Sequence, residues 1–258
     1  EGQRFNGTAC FYEKVRKQMS LSTVKLLGRE EVAEGTMAFH FEKPDGFVYK
    51  AGQFADFTLI DPPENDAEGS TRGFSLASAP YEQDLQIATR MRDTAFKRVM
   101  KHLPDGTQLK LDAPYGSFTL HNNAAIPAVF LTGGIGITVV RSILLEATHK
   151  AVPRSIWLFY ANRRPEDAAF LATFRTIAAT NPRVTFVPTM TNMEHSHTEW
   201  TGERGHITKA MLERFIGDLT APLYYCTGPA TLVAAMRTML NEAGVDDDMI
   251  RTEEFTGY

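Results

Sequence analysis

The hydrophobic period of the chain changes near residue 122, and no other feature restricts its fold as strongly. From about residue 20 to 120, Met37, Phe39 and Phe41 alternate with Ala38, His40 and Glu42, and Leu85, Ile87, Thr89 and Met91 alternate with Gln86, Ala88 and Arg90. Leu109 and Leu111 continue the pattern. Successive side chains of a strand point to opposite faces, so this alternation marks half-buried antiparallel strands. Pro44-Asp45-Gly46, the polar stretch 61–70 and Asp105-Gly106 supply turns between them. Several short strands at this spacing predict a small barrel or sandwich, interrupted by one helix over about 94–103.

Beyond residue 126 the apolar residues come in short continuous runs, at 128–131, 156–160, 184–187 and 223–226. A strand covered on both faces reads this way. Between the runs the period is helical: Val139, Val140, Ile143, Leu144 and Ala147 share one face, as do Phe170, Leu171, Phe174 and Ile177, and later Leu232, Val233, Met236 and Leu240. Strand–helix alternation predicts a parallel α/β sheet. With His121-Asn122-Asn123 as the boundary, the expected organisation is an extension of unknown role over 1–18, an antiparallel β-barrel domain over 19–121 and a parallel-sheet α/β domain over 122–258.

Composition narrows the function classes. The 258 residues carry a net charge of −4, which argues against nucleic acid as the main partner. No apolar run reaches the about 20 residues of a membrane span, and no signal peptide is visible, so a cytoplasmic enzyme is expected. Two cysteines, Cys10 and Cys226, are too few for a disulfide framework, a structural zinc site or an iron–sulfur cluster. His195-x-His197 with its neighbouring acids reads as a solvated polar loop, and no metal site is expected. Asn6-Gly7-Thr8 matches a glycosylation sequon in a chain that otherwise shows no secretory features. No Gly-x-Ser-x-Gly elbow is present to anchor hydrolase chemistry.

Two segments carry chemistry. The run ending at Leu131 leads directly into Thr132-Gly133-Gly134-Ile135-Gly136-Ile137-Thr138 and then a helix. Glycines let a ligand approach the backbone, and a helix start offers free N–H groups and a positive dipole, so this turn suits a phosphate. A tight strand-to-helix turn without ligand fits the same residues; Val139 stands where a third dinucleotide-motif glycine would fall. In the barrel half, Arg72-Gly73-Phe74-Ser75 sets a cation, a ring and a hydroxyl within four residues. Those groups can bind a phosphate and a planar ring, or form an ordinary strand with one exposed Arg and one core Phe.

Arg72-x-Phe74-Ser75, Gly133-Gly134-x-Gly136-x-Thr138 and Cys226-Thr227-Gly228-Pro229, in this order, resemble the motifs of the ferredoxin–NADP reductase superfamily. Gly52-Gln53-Phe54, the segment 113–118, Trp200-x-Gly202-Glu203-x-Gly205 and the ending Glu253-Glu254-Phe255 support the resemblance, which covers about residues 22–258. It implies that Arg72 binds a flavin phosphate, Phe74 packs on the isoalloxazine and Ser75 hydrogen-bonds near flavin N5. It further implies that Gly133, Gly134, Gly136 and Thr138 hold a nicotinamide dinucleotide pyrophosphate, with Gly228 beside them. Cys226 would adjoin the nicotinamide, and Glu254 and Phe255 would close over the flavin. Phe74 replaces the commoner Tyr, Val139 a frequent Pro, and Thr227 a Gly.

The helix start at Thr94, with Arg90 and Arg92 beside it, suits a flavin pyrophosphate and so favours FAD over FMN. Ala161-Asn162-Arg163-Arg164 follows the second parallel strand with no acid before Glu166. An arginine there suits a 2′-phosphate, favouring NADPH over NADH, although Arg163 and Arg164 can equally pair with Glu166 and Asp167. The expected activity is hydride transfer from NADPH, or NADH, to FAD and onward electron delivery to an external acceptor such as ferredoxin. Arg90, Arg92, Lys97, Arg98 and Lys101 offer a basic cluster for an acidic partner. The alternatives are a reductase of quinones, ferric chelates or other small molecules, and a binding subunit that keeps the fold without turnover.

Overall fold

The computed structural model describes residues Ser20–Phe255. The extension over 1–18, its sequon and Cys10 lie outside the described residues.

Six antiparallel strands form the first sheet in the order β4-β3-β6-β1-β2-β5. They are β1 (Ser20–Ala33), β2 (Thr36–Glu42), β3 (Phe54–Leu59), β4 (Thr71–Ser75), β5 (Asp84–Arg90) and β6 (Gln108–Tyr115). β1 serves two partners: residues 20–25 pair with β6, and Leu26 onward pairs with β2 after a register shift between Leu26 and Gly28. The N–H groups of Ala77 and Ser78, just past β4, donate to the Gln86 carbonyl in β5. That contact curls the sheet into a barrel. Its interior is apolar, with Phe39, Phe41, Phe57, Ile87 and Leu111 each 0 % exposed. Helix α1 (Ala95–His102) closes one end with Phe96, Val99 and Met100.

β5 departs from simple alternation. Gln86 and Ala88, expected on the solvent side, are buried. Ala88 and Ala38 share a core with Phe118 and the second sheet. The outward face of this part of the barrel is an interface, and small residues let the two halves approach.

The second sheet is wholly parallel, in the order β10-β9-β8-β7-β11-β12. Its strands are β7 (Ala128–Gly133), β8 (Ile156–Asn162), β9 (Val184–Met190), β10 (Glu203–Arg204), β11 (Leu223–Pro229) and β12 (Ile250–Phe255). Helices α2 (Ile137–His149) and α3 (Leu171–Thr180) pack on the face shared with the barrel, and α4 (Lys209–Ile216) and α5 (Ala230–Glu242) on the opposite face. Each apolar run expected to be doubly covered is a strand here. Burying a side chain such as Phe130 or Leu131 stabilises the fold by roughly 2 kcal/mol. Strand order reverses direction between β7 and β11, and an open α/β sheet has its crevice at such a point. No described helix is long and apolar enough to cross a membrane.

Candidate active site

A cavity of about 910 Å³ opens over the carboxyl ends of β7, β8 and β11. Gly133, Gly134 and Ile135 form its floor, Arg163 and Asp167 one wall, and Arg90 and Arg92 of the barrel the facing wall. The turn is tight for a packing reason. A Cβ on Gly136 would meet the Cα of Gly228 at 2.7 Å and the carbonyl oxygen of Thr227 at 2.8 Å. Gly228 in turn faces the Gly133 carbonyl, so Gly133, Gly136 and Gly228 bring the start of α2 against the end of β11. Thr138 is buried inside that joint and its hydroxyl donates to the Ile135 carbonyl. Of the four residues expected to hold a pyrophosphate, Gly133 and Gly134 reach the cavity while Gly136 and Thr138 build the turn beneath it.

The sheet top also holds buried polar atoms without partners among the described residues: Thr132 Oγ1, Thr227 Oγ1 and Asn162 Nδ2. An orphaned buried polar atom costs about 1–3 kcal/mol. Such atoms gathered at strand ends are a polar lining that a bound ligand can satisfy.

Two residues expected in the site, Cys226 and Glu254, face elsewhere. Tyr224 and Cys226 point into the core under α4 and α5, and Cys226 is 0 % exposed. Desolvation pushes its thiol up to about 12. Thr227, one position on, lies on the barrel side, in register with Thr132 of β7 and Glu253 of β12. Glu254 is likewise on the exposed face of β12. Glu253 is the carboxyl turned inward: burial raises it from about 4.5 to about 7, against the opposing pull of a hydrogen bond with the Ser75 hydroxyl. Ser75 is 5 % exposed at the end of β4, so this contact joins barrel to sheet. Phe255 packs half-buried at the edge of the shared core.

The barrel half presents a second anion-binding arrangement. Thr94 caps α1 by accepting from the Lys97 N–H. Arg72 lies over the Phe96 ring at 5.4 Å, and Phe74 contacts the rings of Phe57 and Phe96. The Asp66 carboxylate bridges the two: Oδ1 accepts from Arg72 Nη2 at 3.1 Å and Oδ2 from the Ala95 N–H at 3.1 Å. Burial opposes its ionisation, but the Glu68 and Ala95 N–H groups and Arg72 together hold it below the usual carboxylate range. A carboxylate thus stands where the sequence led us to expect a phosphate.

Arg163 and Arg164 diverge. Arg163 is exposed at the cavity wall and its guanidinium has no partner among the described residues. Arg164 turns away to Asp167 at 2.9 Å and to Glu34, in the turn between β1 and β2, at 2.8 Å, so it ties the halves together rather than lining the cavity. Glu166 accepts from Ser196, His197 and Thr198 and pins the loop containing His195 and His197. The basic cluster is also dispersed. Arg98 is paired with Glu64 and Asp93, Lys97 donates to the Arg90 carbonyl, and Arg90 and Arg92 face the cavity.

Thr227 and Glu253 follow by strand parity only once the packing of Tyr225 fixes which face of β11 meets the barrel. Asp66 and Asp167 carry no such signal, since they reach their positions through loops and long-range packing.

Comparison with known proteins agrees with this arrangement. Residues 130–238 match the oxidoreductase NAD-binding domain family. The chain is 28 % identical over 219 residues to the reductase component DmpP of phenol 2-monooxygenase from Pseudomonas sp. (strain CF600), covering 84 % of this chain and 60 % of that one. It is 26 % identical over 227 residues to ferredoxin–NADP reductase B of Sorangium cellulosum (strain So ce56), covering 83 % and 89 %. The chain therefore spans about 60 % of the length of DmpP and of a glycine betaine monooxygenase reductase subunit. Among solved structures, the Amycolatopsis cytochrome P450 reductase GcoB superposes with a TM-score of 0.78 at 21 % identity, over 93 % of this chain and 71 % of that one. The Neisseria gonorrhoeae ferredoxin NADP+ reductase, solved with FAD and NADP, gives 0.74 at 18 % identity, over 91 % of this chain and 98 % of that one. With the barrel preceding the parallel sheet, the glycine turn at the strand reversal and the match over 130–238 to the oxidoreductase NAD-binding domain family, the chain is similar in sequence and fold to ferredoxin–NADP reductases and to oxygenase reductase components.

Proposed function

We propose that the protein takes hydride from NADPH onto FAD and passes the electrons to a separate acceptor. In this reading residues 19–121 hold the flavin and 122–258 the nicotinamide dinucleotide. The observation that carries it is the cavity at the strand reversal, floored by Gly133 and Gly134 and walled by unpaired Arg163 opposite Arg90 and Arg92. Bound FAD would accept two electrons as hydride and release them singly.

The residues present fit both groups. Arg72 and the start of α1 already coordinate an anion in Asp66, and the orphaned hydroxyls of Thr132 and Thr227 lie on the sheet face toward the barrel. Phe74 and Phe255 would flank the flavin ring. Ser75, with Glu253, would hold a hydrogen bond at the reacting edge, and Thr227 would take the place beside the nicotinamide that the resemblance implies for Cys226. Fixing both rings in one geometry turns the transfer into an intramolecular event. Arg163 would take the 2′-phosphate. A cytoplasmic setting, where reduced nicotinamide is regenerated, belongs to the same proposal.

Relatives named as reductase components of phenol 2-monooxygenase and terephthalate 1,2-dioxygenase support a protein acceptor, a ferredoxin or an oxygenase-type partner. The internal pairing of Arg98 and Lys97 favours a second reading, reduction of small quinones or ferric chelates, because little of the expected basic patch is left to dock an acidic protein. Anaerobic titration followed by visible absorbance tests the core claim. NADPH is expected to bleach the flavin at lower concentration than NADH, and Arg163→Gln to erase that preference by roughly tenfold or more. Flavin that neither nucleotide bleaches refutes it. Turnover with a ferredoxin against turnover with ferricyanide separates the two acceptors.

A further inference from the structure

A second cavity, of about 550 Å³, opens at the opposite end of the parallel sheet and shares no lining residue with the first. Arg251 at the start of β12, Arg154 just before β8, Glu146 and Lys150 at the end of α2, His121 from the connection between the two sheets, and Lys50 from the barrel all face it.

Its charges do not balance. Arg154 is 4 % exposed and has no carboxylate partner among the described residues. Its Nη1 donates to His121 Nε2 at 2.6 Å and its Nη2 to the His121 carbonyl at 2.7 Å, while its buried Nε has no partner. Arg251 rests over the Tyr225 ring at 5.5 Å and donates through Nη1 to the Thr119 carbonyl at 2.9 Å, again with no carboxylate. Glu146, the one carboxylate in the lining against four cations, is engaged with Lys150 through Oε1 at 2.6 Å, and its buried Oε2 has no partner among the described residues. Burial, with the adjacent Arg154 and Arg251, lowers His121 against the opposing pull of the Ile126 carbonyl, 3.0 Å from its Nε2. A buried guanidinium without a counter-charge is expensive, and a carbonyl or a neutral imidazole offsets only part of that cost. Arg251 Nε and Nη2 remain unspent in a planar fork that suits a two-oxygen acceptor.

We propose that this cavity binds a small organic anion with at least two charges, carried on carboxylate or phosphate groups, held between Arg154 and Arg251 with Lys50 at the mouth. The site is independent of the nucleotide cleft and of the function proposed for it. Its walls come from the barrel, the connection and the sheet, so an occupant stiffens the junction of the two halves.

Scanning calorimetry on the full chain tests this, using inorganic phosphate and citrate against chloride at constant ionic strength. Either polyanion is expected to give a saturable rise in Tm of roughly 5–10 °C at a hundredfold excess over its Kd. Arg251→Gln is expected to remove it and Lys50→Gln, an exposed change, to weaken binding several-fold. Arg163→Gln, in the other cavity, should leave it intact. Stronger binding of phosphate assigns the site to phosphorylated ligands, and stronger binding of citrate to polycarboxylates. A response no larger than that of chloride, one that persists in both Arg251→Gln and Lys50→Gln, or one lost in Arg163→Gln overturns the proposal.

Discussion

Asp66 occupies the position between Arg72 and the N-terminus of α1 that a flavin phosphate would need. A ligand phosphate must therefore displace a carboxylate, and the loop that carries it, before it can bind. Asp66→Asn keeps the size of the side chain and removes its charge, so flavin affinity is expected to rise several-fold when FAD is titrated into flavin-free protein and followed by fluorescence quenching. Unchanged or weaker affinity would show that Asp66 does not compete. Glu253 makes a different prediction. Its carboxyl is raised from about 4.5 to about 7 by burial. A raised acid is neutral in the fold and must ionise at a cost, so its favourable contribution is complete below pH 4.5 and is lost as pH rises to 7. Relative to Glu253→Gln, the flavin-free wild type is expected to lose up to about 3 kcal/mol across that interval and none above it. Urea unfolding of both proteins at pH 4.5, 6 and 8 measures the difference, and parallel curves would refute the assignment.

At the scale of elements, the glycine joint between β7, α2 and β11 yields a contrast between two neighbours. A methyl on Gly136 meets backbone atoms of Gly228 and Thr227 that cannot move aside, whereas one on Gly134 meets nothing within 4 Å and is opposed only by its φ of +54°. Gly136→Ala is expected to cost about 3 kcal/mol and Gly134→Ala about 1 kcal/mol in chemical unfolding. Equal costs would mean that the joint is looser than drawn. The strands and helices around it were legible because burial imposes a period on sequence: Val139 to Ala147 and Phe130 to Leu131 read correctly. Strand parity was harder. Tyr224-Tyr225-Cys226-Thr227 is apolar enough to be buried on both faces, so nothing in composition says which residue looks toward the barrel. A one-residue step reverses the face, and it moved attention to Cys226 and Glu254 from Thr227 and Glu253. The Arg164–Asp167 pair was among the alternatives its spacing allowed, but the Arg164 contact with Glu34 and the place of Asp66 were beyond reach, since tertiary packing brings those partners from distant segments.

On the scale of the whole molecule, the proposed function has hydride crossing from a nucleotide on the sheet to a flavin on the barrel, which would make the junction between the halves part of the catalytic apparatus. Ala38, Ala88 and Phe118 give it an apolar centre, and polar struts fix its angle. Arg141 of α2 is the strongest strut: Nη1 donates to the Ala77 carbonyl at 2.7 Å and to Glu82 at 2.9 Å, and Nη2 to Glu82 at 3.1 Å. Ser142 beside it donates to the Ser78 carbonyl at 2.6 Å. Ala77 and Ser78 lie two and three residues after Ser75, so the strut sets where the proposed hydride-receiving edge lies relative to the glycine turn. Arg141→Met preserves much of the packing and leaves Glu82 and the Ala77 carbonyl without their donor, at an expected cost of about 2 kcal/mol. The flavin contacts in the barrel are untouched, so FAD affinity should hold. Transfer is more sensitive, because a displacement of about 1 Å can lower a rate roughly a hundredfold. Stopped-flow reduction by NADPH is therefore expected to slow by ten- to a hundredfold, with Glu82→Gln intermediate and the double variant no worse than Arg141→Met alone. Additive losses in the double variant would mean that the two residues act through separate contacts, and an unchanged reduction rate would mean that the angle between the halves is set by the apolar centre.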